Sequence, residues 1–541
     1  MTRKRPALPF HFAQICMRSF LLRFDNVAPR ASGRVVLRGG RARHAGLTSA
    51  LLTVIGACGP AHAGTPAPAV APAVAALRRS VDSMVNAPQF RSALFGILVV
   101  DPATGDTLVS HNAGKLFMPA SNQKLLTGSV ALQLLGPDYR YQTFVGASGP
   151  VLDGTLLGDL VVAGTGDPSV SDHMATDAMR PLREMADSLA AHGVRHINGA
   201  IVPGADAFPG PTLGFGWAWD DLDFDYSAGV DELYFNEGFS LLVVHAGAAA
   251  GDSVIVRTMP ARSVPRVRVW ARTAAAAAAG APRGRGRSLS VRQDSSDATA
   301  VILDGTIAAG DSAVLSITHR DPSRIFLLAL REALEERGIV AEGGVSPWRG
   351  SAVYPLFART SPPLSEILRA FEKPSQNQIG EILLRTLGRV RTGVGSPDSG
   401  ARVVRDQVLA WGAAPDGMRV RDGSGLSRHD VVTPETIIRV LDAMRQAPTF
   451  TTFRDALPVA GVDGTIARRM IGTPAQGNVH AKTGTLDLVR SLSGYVTSAD
   501  GHLLLFSVLA NNWTVPVRQV EAVQDAIAVQ LASMRLGGGG R

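Results

Sequence analysis

Two short motifs contain lysines whose neighbours suit acyl-transfer chemistry. Ser121 precedes Lys124 by three residues, giving S-x-x-K, and Lys482 is followed by Thr483 and Gly484, giving K-T-G. On a helix that begins near Ser121, residues i and i+3 share a face, so the Lys124 amine reaches the Ser121 hydroxyl. The positive end of a helix lowers the pKa of a nearby lysine, and a neutral lysine can act as general base toward serine. The spacing therefore predicts an activated serine nucleophile.

Lysine is scarce in this chain, which makes each lysine informative. The five lysines stand at positions 4, 115, 124, 373 and 482, so 49 of the 54 basic residues are arginine. Arginine keeps its proton in a protein, whereas a buried lysine can lose it. A serine that caps a helix bearing an exposed lysine would also produce S-x-x-K, so this motif alone does not decide the chemistry.

A third motif lies between the first two. Ser375, Gln376 and Asn377 form S-x-N at a predicted helix start, 254 residues after Ser121 and 107 residues before Lys482. By itself S-x-N carries little information, because a serine near a helix start often produces it. In the order S-x-x-K, S-x-N, K-T-G, the three motifs match the set described for serine acyltransferases that act on penicillin-like amides.

These motifs and several longer strings make the chain similar to a known family. It resembles the D-alanyl-D-alanine carboxypeptidase/endopeptidase family of the penicillin-binding protein 4 type over most of residues 78–536. The strings that carry the resemblance are PASNQKLLT (119–127), GTGDPS (164–169), GWAWDDL (216–222), DGSGLSR (422–428), AGVDGT (460–465) and AKTGTLDLVRSLSGYV (481–496).

The resemblance implies roles for four catalytic residues. Ser121 would be the acylated nucleophile and Lys124 its base. Ser375 would relay a proton to the nitrogen of the leaving D-alanine, and Asn377 would bind the substrate amide. The partners implied are peptidoglycan peptides as substrates and β-lactam antibiotics as covalent inhibitors, and no cofactor or metal ion is expected.

Four further residues are implied to bind substrate. Lys482 and Thr483 would hold the terminal carboxylate, a task that suits a point charge and a hydroxyl. Gly484 would let the substrate backbone approach the strand closely. The oxyanion hole would consist of the backbone amides of Ser121 and Thr485. The string 422–428 is interpreted as a structural loop near the site.

The resemblance also implies the fold that positions these residues. We expect an α/β (α+β) chain with a serine β-lactamase/DD-peptidase-like domain, in which helices flank an antiparallel sheet. Residues 77–143 and 355–541 would form this catalytic domain. Residues 144–354 would be a β-rich insertion, in which two small domains are expected from the family.

Hydrophobic periodicity predicts several elements around the motifs. The run after Ser121 predicts a helix that ends at Gly136 and Pro137, and the low-complexity segment 273–287 predicts a surface loop. His192 and His196 are assigned to a surface helix. The other predicted elements are helices at 77–85, 364–371, 378–391 and 517–536 and strands at 93–100, 107–110, 490–497 and 502–511.

The first 63 residues are interpreted as a leader with a secretory signal peptide. Residues 41–63 combine a basic start, an apolar stretch and a terminal Ala-His-Ala cleavage pattern. Residues 64–76 follow as a Pro/Ala linker. The mature protein is therefore expected in the periplasm, after secretion across the inner membrane. Alternatively, lipidation at Cys58 would make it a lipoprotein attached to the membrane.

Charge and cysteine content change once the leader is set aside. The whole chain carries +8, which would favour an anionic partner. Residues 1–63 contain ten basic residues and one acidic residue, so the remainder carries −1 and no nucleic-acid partner is predicted. Cleavage after Ala63 would remove both cysteines, Cys16 and Cys58, which excludes a cysteine nucleophile and thiolate zinc sites.

Three alternative functions compete with this prediction. A metallopeptidase is disfavoured because H-E-x-x-H is absent from the sequence. A β-lactamase-like hydrolase would share the acylation step but would need fast deacylation, which sequence does not reveal. A catalytically idle cell-wall-binding protein would not need the intact set of Ser121, Lys124 and Lys482.

Overall fold

The computed structural model of this chain describes residues 72–276, 287–347, 350 and 352–537. The predicted leader, Cys58, the first part of the linker and most of the 273–287 loop lie outside these residues. Among the helices described, none combines the length and the apolar composition needed to cross a membrane.

Most strands in the described residues are short. In chain order they are β1 (Leu94–Asp101), β2 (Asp106–His111), β3 (Gln142–Ala147), β4 (Val151–Leu152), β5 (Thr155–Leu156), β6 (Leu160–Ala163), β7 (His196–Ile197), β8 (Ile201–Pro203), β9 (Phe239–His245), β10 (Ile255–Met259), β11 (Arg266–Val269), β12 (Arg272–Ala274), β13 (Ser290–Gln293), β14 (Ala300–Asp304), β15 (Thr306–Ala308), β16 (Ser312–Thr318), β17 (Val340–Ala341), β18 (Tyr354–Thr360), β19 (Met418–Arg419), β20 (Val431–Val432), β21 (His480–Leu486), β22 (Val489–Thr497) and β23 (Leu503–Asn511).

Most α-helices lie before and after the long β-rich region. In chain order they are α1 (Pro72–Val85), α2 (Gln123–Leu135), α3 (Asp172–Ala175), α4 (Met179–Ala191), α5 (Pro322–Glu335), α6 (Leu364–Glu372), α7 (Asn377–Thr392), α8 (Pro397–Ala410), α9 (Pro434–Gln446), α10 (Phe450–Ala456) and α11 (Val517–Ser533).

A five-stranded sheet in the order β2-β1-β23-β22-β21 forms the centre of the fold, and every pair in it is antiparallel. Successive side chains of a strand point to opposite faces, and β1 buries both. Ile97 and Val99 belong to the core under α1 and α11, whereas Leu98 belongs to the core on the other face, with α2 and α6–α9. The predicted antiparallel sheet flanked by helices is confirmed.

Helix α2 runs through the middle of the second core. Its residues Gln123–Leu132 are all buried, so it is surrounded by protein rather than presenting one face to solvent. A 3₁₀ turn at Ala120–Asn122 precedes the helix, and Gly136, with φ of 83°, ends it. Ser121 therefore lies in the turn before the α-helix, and the first α-helical residue is Gln123.

The region between β3 and β18 contains most of the small sheets. Strand β3 pairs with β18 from the far end of this region and with β6 on its other side. One core packs β3 and β6 against α4 and α5, and a second core lies among β9, β14 and β16. Helix α5 was not predicted from the β-like texture of this region, and α4 was predicted only as a surface helix carrying His192 and His196.

Two local predictions differ from the structure. His192 is the residue that caps the C-terminus of α4 and His196 lies in β7, so the two histidines do not share a helix. A glycine at position 193 with φ of 82° separates them, because a left-handed residue ends the helix. The C-terminal helix ends at Ser533, three residues before the predicted end.

Candidate active site

Ser121 and Lys124 lie together at the N-terminal end of α2. The Lys124 Nζ is 2.8 Å from the Ser121 Oγ. Lys124 is fully buried while Ser121 is partly exposed, so the hydroxyl is the member of this pair that faces the surface. The predicted i, i+3 contact is present, although the 3₁₀ turn rather than a regular α-helix positions the serine.

Two further oxygen atoms surround the Lys124 amine. Its Nζ donates to the Asn377 Oδ1 at 2.6 Å and to the backbone carbonyl of Ser424 at 2.8 Å. A neutral amine has two N–H donors and one lone pair. Since the amide oxygen and the carbonyl can only accept, both N–H groups point to them and the lone pair is left for the Ser121 hydroxyl. This arrangement fits a general base.

The electrostatics of the site favour this neutral form. Burial lowers the pKa of Lys124 well below its usual value, and the nearby positive charge of Lys482 lowers it further. The carboxyl groups of Glu372, Asp422 and Glu381 act in the opposite direction. Because burial is the largest effect, Lys124 is the group in the site best able to accept a proton.

The S-x-N motif lies at the start of α7. Ser375 has φ of 67°, in the left-handed region that non-glycine residues rarely adopt, and its Oγ accepts a hydrogen bond from the Lys482 Nζ at 2.8 Å. The local strain is thus located at a residue with a predicted catalytic role. The helix is capped by the Gln376 side chain, which accepts from the Ile379 amide, so Ser375 is not the capping residue.

Asn377 is bonded inside the protein to a greater extent than the sequence predicted. Its Oδ1 accepts from Lys124, and its Nδ2 donates to the carbonyl of Tyr226 at 2.7 Å. A primary amide has two donors and two acceptor positions, so one of each is left for the predicted contact with the substrate amide. The primary effect visible in the structure is to orient Lys124.

Strand β21 brings the K-T-G motif beside Ser121. Lys482 is fully buried, and its Nζ donates to Ser375 and to the carbonyl of Thr483 at 3.1 Å. Burial lowers the pKa of Lys482 to about 8, while the carboxyl of Glu372 raises it. The Thr483 hydroxyl lies 2.7 Å from that of Thr465, which fixes its position.

Gly484 is the point of closest approach between β21 and the nucleophile turn. A β-carbon at this position would lie 2.5 Å from the carbonyl oxygen of Pro119 and 2.9 Å from the amide nitrogen of Ser121. Real β-carbons essentially never come this close to backbone atoms, so glycine is required. The next residue, Thr485, is exposed, and the proximity of the two segments is compatible with an oxyanion hole made by the amides of Ser121 and Thr485.

The loop 422–428 provides a hydrogen-bond acceptor for the base, Lys124. The Asp422 carboxylate accepts from the backbone amides of Gly425 at 2.6 Å and Ser427 at 2.7 Å, and from the Trp217 indole at 2.9 Å. These bonds fix the loop that presents the Ser424 carbonyl to Lys124. The predicted structural loop therefore contributes one backbone oxygen directly to the site.

Sequence reasoning missed several residues of this site. Glu372 and Glu381 are buried carboxylic acids that raise the pKa of Lys124. The carbonyl of Ser424 accepts a hydrogen bond from Lys124. The Asn122 amide donates to the carbonyl of Lys482 at 2.8 Å and ties α2 to β21. No local signal singles out Glu372, because residues 364–373 (LSEILRAFEK) contain other charged residues on both sides of it.

One cluster in the described residues could in principle hold a metal ion. The carboxyl groups of Asp206, Asp231 and Glu232 place ligand atoms within 4.8 Å of one another. Burial and the Asp231 charge raise the pKa of Glu232 to about 10, so this carboxyl is protonated at neutral pH. The Arg385 guanidinium interacts electrostatically with these three carboxyl groups, so the protein itself already provides a positive charge near the cluster. The prediction that no cofactor is needed stays a prediction.

Comparisons with known proteins identify the family of the chain. The family model described as the D-Ala-D-Ala carboxypeptidase 3 (S13) family matches residues 77–534. The D-alanyl-D-alanine carboxypeptidase of Actinomadura sp. (strain R39) is 35% identical over 533 residues, which cover 94% of this chain and 93% of that protein. The D-alanyl-D-alanine carboxypeptidase DacB of Haemophilus influenzae is 26% identical over 414 residues, covering 75% of this chain and 83% of that protein.

A solved structure supports the fold independently. The crystal structure of penicillin-binding protein 4 from Haemophilus influenzae superimposes with a TM-score of 0.73 and 24% sequence identity, and it covers 84% of this chain and 99% of that one. The same protein in complex with a β-lactam gives a TM-score of 0.68 at 23% identity, covering 84% of this chain and all of that one.

Proposed function

This chain belongs to the D-Ala-D-Ala carboxypeptidase 3 (S13) family, and we therefore propose that Ser121 is the serine that becomes acylated by the substrate. The chain is a serine-type D-Ala-D-Ala carboxypeptidase. The observation that carries the proposal for Ser121 is the set of three oxygens around the buried Lys124 amine, of which only the Ser121 hydroxyl can give up a proton to it.

Acylation follows from this geometry. The Ser121 Oγ attacks the carbonyl carbon of the penultimate D-alanine while its proton passes to the Lys124 lone pair. The negative charge that develops on the carbonyl oxygen would be stabilised by the amides of Ser121 and Thr485. The Asn377 oxygen and the Ser424 carbonyl keep the amine in place while its charge changes.

Release of D-alanine requires a proton on the leaving nitrogen. Ser375 is hydrogen-bonded to Lys482, so its hydroxyl proton can move to the nitrogen as the C–N bond breaks and be replaced from the lysine. Lys482 and Thr483 bind the terminal carboxylate of the substrate, since an ammonium and a hydroxyl on one strand suit that group. Water then hydrolyses the Ser121 ester: its proton passes through Ser375 to Lys482, Lys124 returns a proton to the Ser121 oxygen, and the shortened peptide leaves with both lysines restored.

The same acylation step accounts for the proposed sensitivity to penicillins. A β-lactam presents a strained amide and a carboxylate in the arrangement that Ser121 and Lys482 accept. The β-lactamase alternative requires rapid hydrolysis of the resulting ester, and family membership favours a carboxypeptidase instead. An idle wall-binding protein is disfavoured because the catalytic groups are in hydrogen-bonding contact.

The reaction is tested by incubating the purified protein with a pentapeptide that ends in D-Ala-D-Ala. Release of one D-alanine per peptide, lost in Ser121→Ala, is expected. Absence of release by the wild-type protein would contradict the proposal. Digestion of intact peptidoglycan, followed by mass spectrometry, would show whether cross-linked dimers are also cleaved, which would make the enzyme an endopeptidase as well.

Export to the periplasm is part of the proposal. Its support is the signal-peptide pattern of residues 41–63 and the location of peptidoglycan outside the cytoplasm. The N-terminal sequence and intact mass of protein recovered from cells distinguish the two forms. A chain starting at Gly64 indicates cleavage after Ala63, whereas a mass increase on Cys58 indicates lipidation.

A further inference from the structure

Glu372 is a buried carboxylic acid that the proposed mechanism leaves without a role. It is the last residue of α6, and its side chain is completely buried. Both of its carboxyl oxygens lack a hydrogen-bond partner among the described residues. Burying an unpaired acid is costly, so its presence indicates a compensating interaction with charge.

The position of this carboxyl relative to α2 is set by a glycine. A β-carbon at Gly128 would lie 2.7 Å from the Glu372 Oε1, so a larger residue here would displace the carboxyl. Gly128 lies four residues after Lys124, on the same face of α2. From the other side, Glu372 is three residues before Ser375, whose hydroxyl binds Lys482.

The positive charges of both lysines of the site lower the pKa of Glu372. Burial raises the pKa of Glu372 to about 7, and the charge of Lys482 opposes this more strongly than that of Lys124. In turn, Glu372 is the only charged group that raises the pKa of Lys482 appreciably among the described residues. Glu372 is therefore within electrostatic reach of both lysines, and the turn that follows it carries the Ser375 hydroxyl to which Lys482 donates.

Other charged groups near α6 are engaged elsewhere. On α10, which packs against α6, Arg454 and Asp455 pair with each other. The adjacent Lys373 pairs with Asp463.

Two further ionisable groups lie on elements that neighbour α6. On α7, Glu381 accepts from the backbone amides of Gly423 and Ser424. On β21, burial and the Arg454 charge lower the pKa of His480.

We propose that Glu372 is a positioning residue whose carboxylate keeps Lys482 an ammonium for the substrate carboxylate, while Lys124 stays the uncharged lysine of the pair. The inference rests on the proposed function, because it assigns those roles to the two lysines. Without the carboxylate, Lys482 would be a buried cation beside another lysine, and it would lose its proton at lower pH. The substrate carboxylate would then lack its charged partner.

The test compares the pH dependence of kcat/KM in the wild-type chain and in Glu372→Gln, with the D-Ala-D-Ala pentapeptide as substrate. At pH 6 the Glu372 carboxyl is itself mostly protonated, so the two proteins should agree. Above pH 7, the decrease of kcat/KM with rising pH should occur about one pH unit lower in the variant than in the wild type. One nearby charge is expected to have an effect of this size. At pH 8 this gives a loss of about fivefold, mainly through KM.

Three variants control the interpretation. Glu366→Gln removes an exposed carboxylate from the same helix and should leave the profile unchanged. Glu372→Asp keeps the charge and should restore most of the alkaline limb. Gly128→Ala keeps the carboxyl but displaces it, and should shift the limb in the same direction as Glu372→Gln, which provides a test even if the glutamine variant does not fold.

Two results would overturn the inference. One is a Glu372→Gln profile that superimposes on that of the wild type, or, if that variant does not fold, an unchanged limb in Gly128→Ala. The other is a uniform loss at every pH with a lowered Tm, which indicates a structural role only. Failure of the proposed function is a separate outcome, because it would appear as a wild-type chain without D-alanine release.

Discussion

Gly484 offers a quantitative test of how closely β21 must approach the nucleophile. In Gly484→Ala the new methyl group would lie 2.5 Å from the Pro119 carbonyl oxygen and 2.9 Å from the Ser121 amide nitrogen. The nearest atom is the Ser491 hydroxyl oxygen, which can rotate away, but these two neighbours are backbone atoms and cannot. Gly484 does not have a positive φ, so the expected cost comes from contact rather than from backbone conformation.

The size of the effect follows from these distances. Ordinary contact requires about 3.5 Å, so the strand and the nucleophile turn must separate by about 1 Å. This displacement moves the Thr485 amide and the Ser121 hydroxyl relative to each other, and misplacement by about 1 Å can cost about 100-fold in rate. We therefore expect acylation by a fluorescent penicillin to slow about 100-fold.

The assay is the second-order rate constant of labelling, measured together with Tm. Gly114→Ala is the matched control, because its β-carbon would meet its nearest neighbour, a Glu435 carboxyl oxygen, at an ordinary 3.6 Å. This control should label at the wild-type rate. Labelling of folded Gly484→Ala within about threefold of the wild type would refute the argument, because a 1 Å displacement should cost far more.

Further predictions concern the base, its orienting amide and the core. Lys124→Arg should slow penicillin acylation by about 10³-fold, because a guanidinium cannot accept the serine proton. Asn377→Asp should move the acid limb of the acylation rate about one pH unit higher, since a carboxylate raises the pKa of Lys124 and the neutral amine then forms only at higher pH. Tyr495→Phe should lower the free energy of unfolding by about 1 kcal/mol and leave labelling unchanged, because its buried hydroxyl donates only to the Leu441 carbonyl at 2.8 Å.

Each of these predictions has an outcome that contradicts it. Rapid labelling of Lys124→Arg would remove the lysine from the role of base. An acid limb that stays in place in Asn377→Asp would show that this amide does not control the charge of Lys124. Slow labelling of a well-folded Tyr495→Phe would connect the core under β22 to the site, a connection the geometry does not provide.

The sequence predicted the peptidase part of the fold well where local patterns are strong. The hairpin of β22 and β23 and the strands β1 and β2 alternate or consist of long apolar runs bounded by turn residues, and the structure has them within a residue or two. Helix α5 was missed because the surrounding short strands dominate the local texture. The end of α4 was misplaced because Gly193 was not recognised as its stop signal.

The contacts of the site are likewise of two kinds, those between residues close in sequence and those between distant segments. The contact of Ser121 with Lys124 follows from a spacing of three residues, which the chain itself shows. The Ser424 carbonyl and the Glu372 carboxyl approach Lys124 from segments about 250 to 300 residues away, and only the packing of α2 reveals them. The bond from Asn377 to Lys124 likewise required the structure, because the motif indicated only a substrate contact.

The central claim is that Ser121, activated by Lys124, is the residue that becomes acylated. It is tested most directly by mass spectrometry of the protein after brief exposure to penicillin, followed by proteolysis and mapping of the modified peptide. We predict one penicilloyl group per chain, located on Ser121 and absent from Ser121→Ala. A penicilloyl group on another residue of the wild-type protein, or one that persists in Ser121→Ala, would contradict the account.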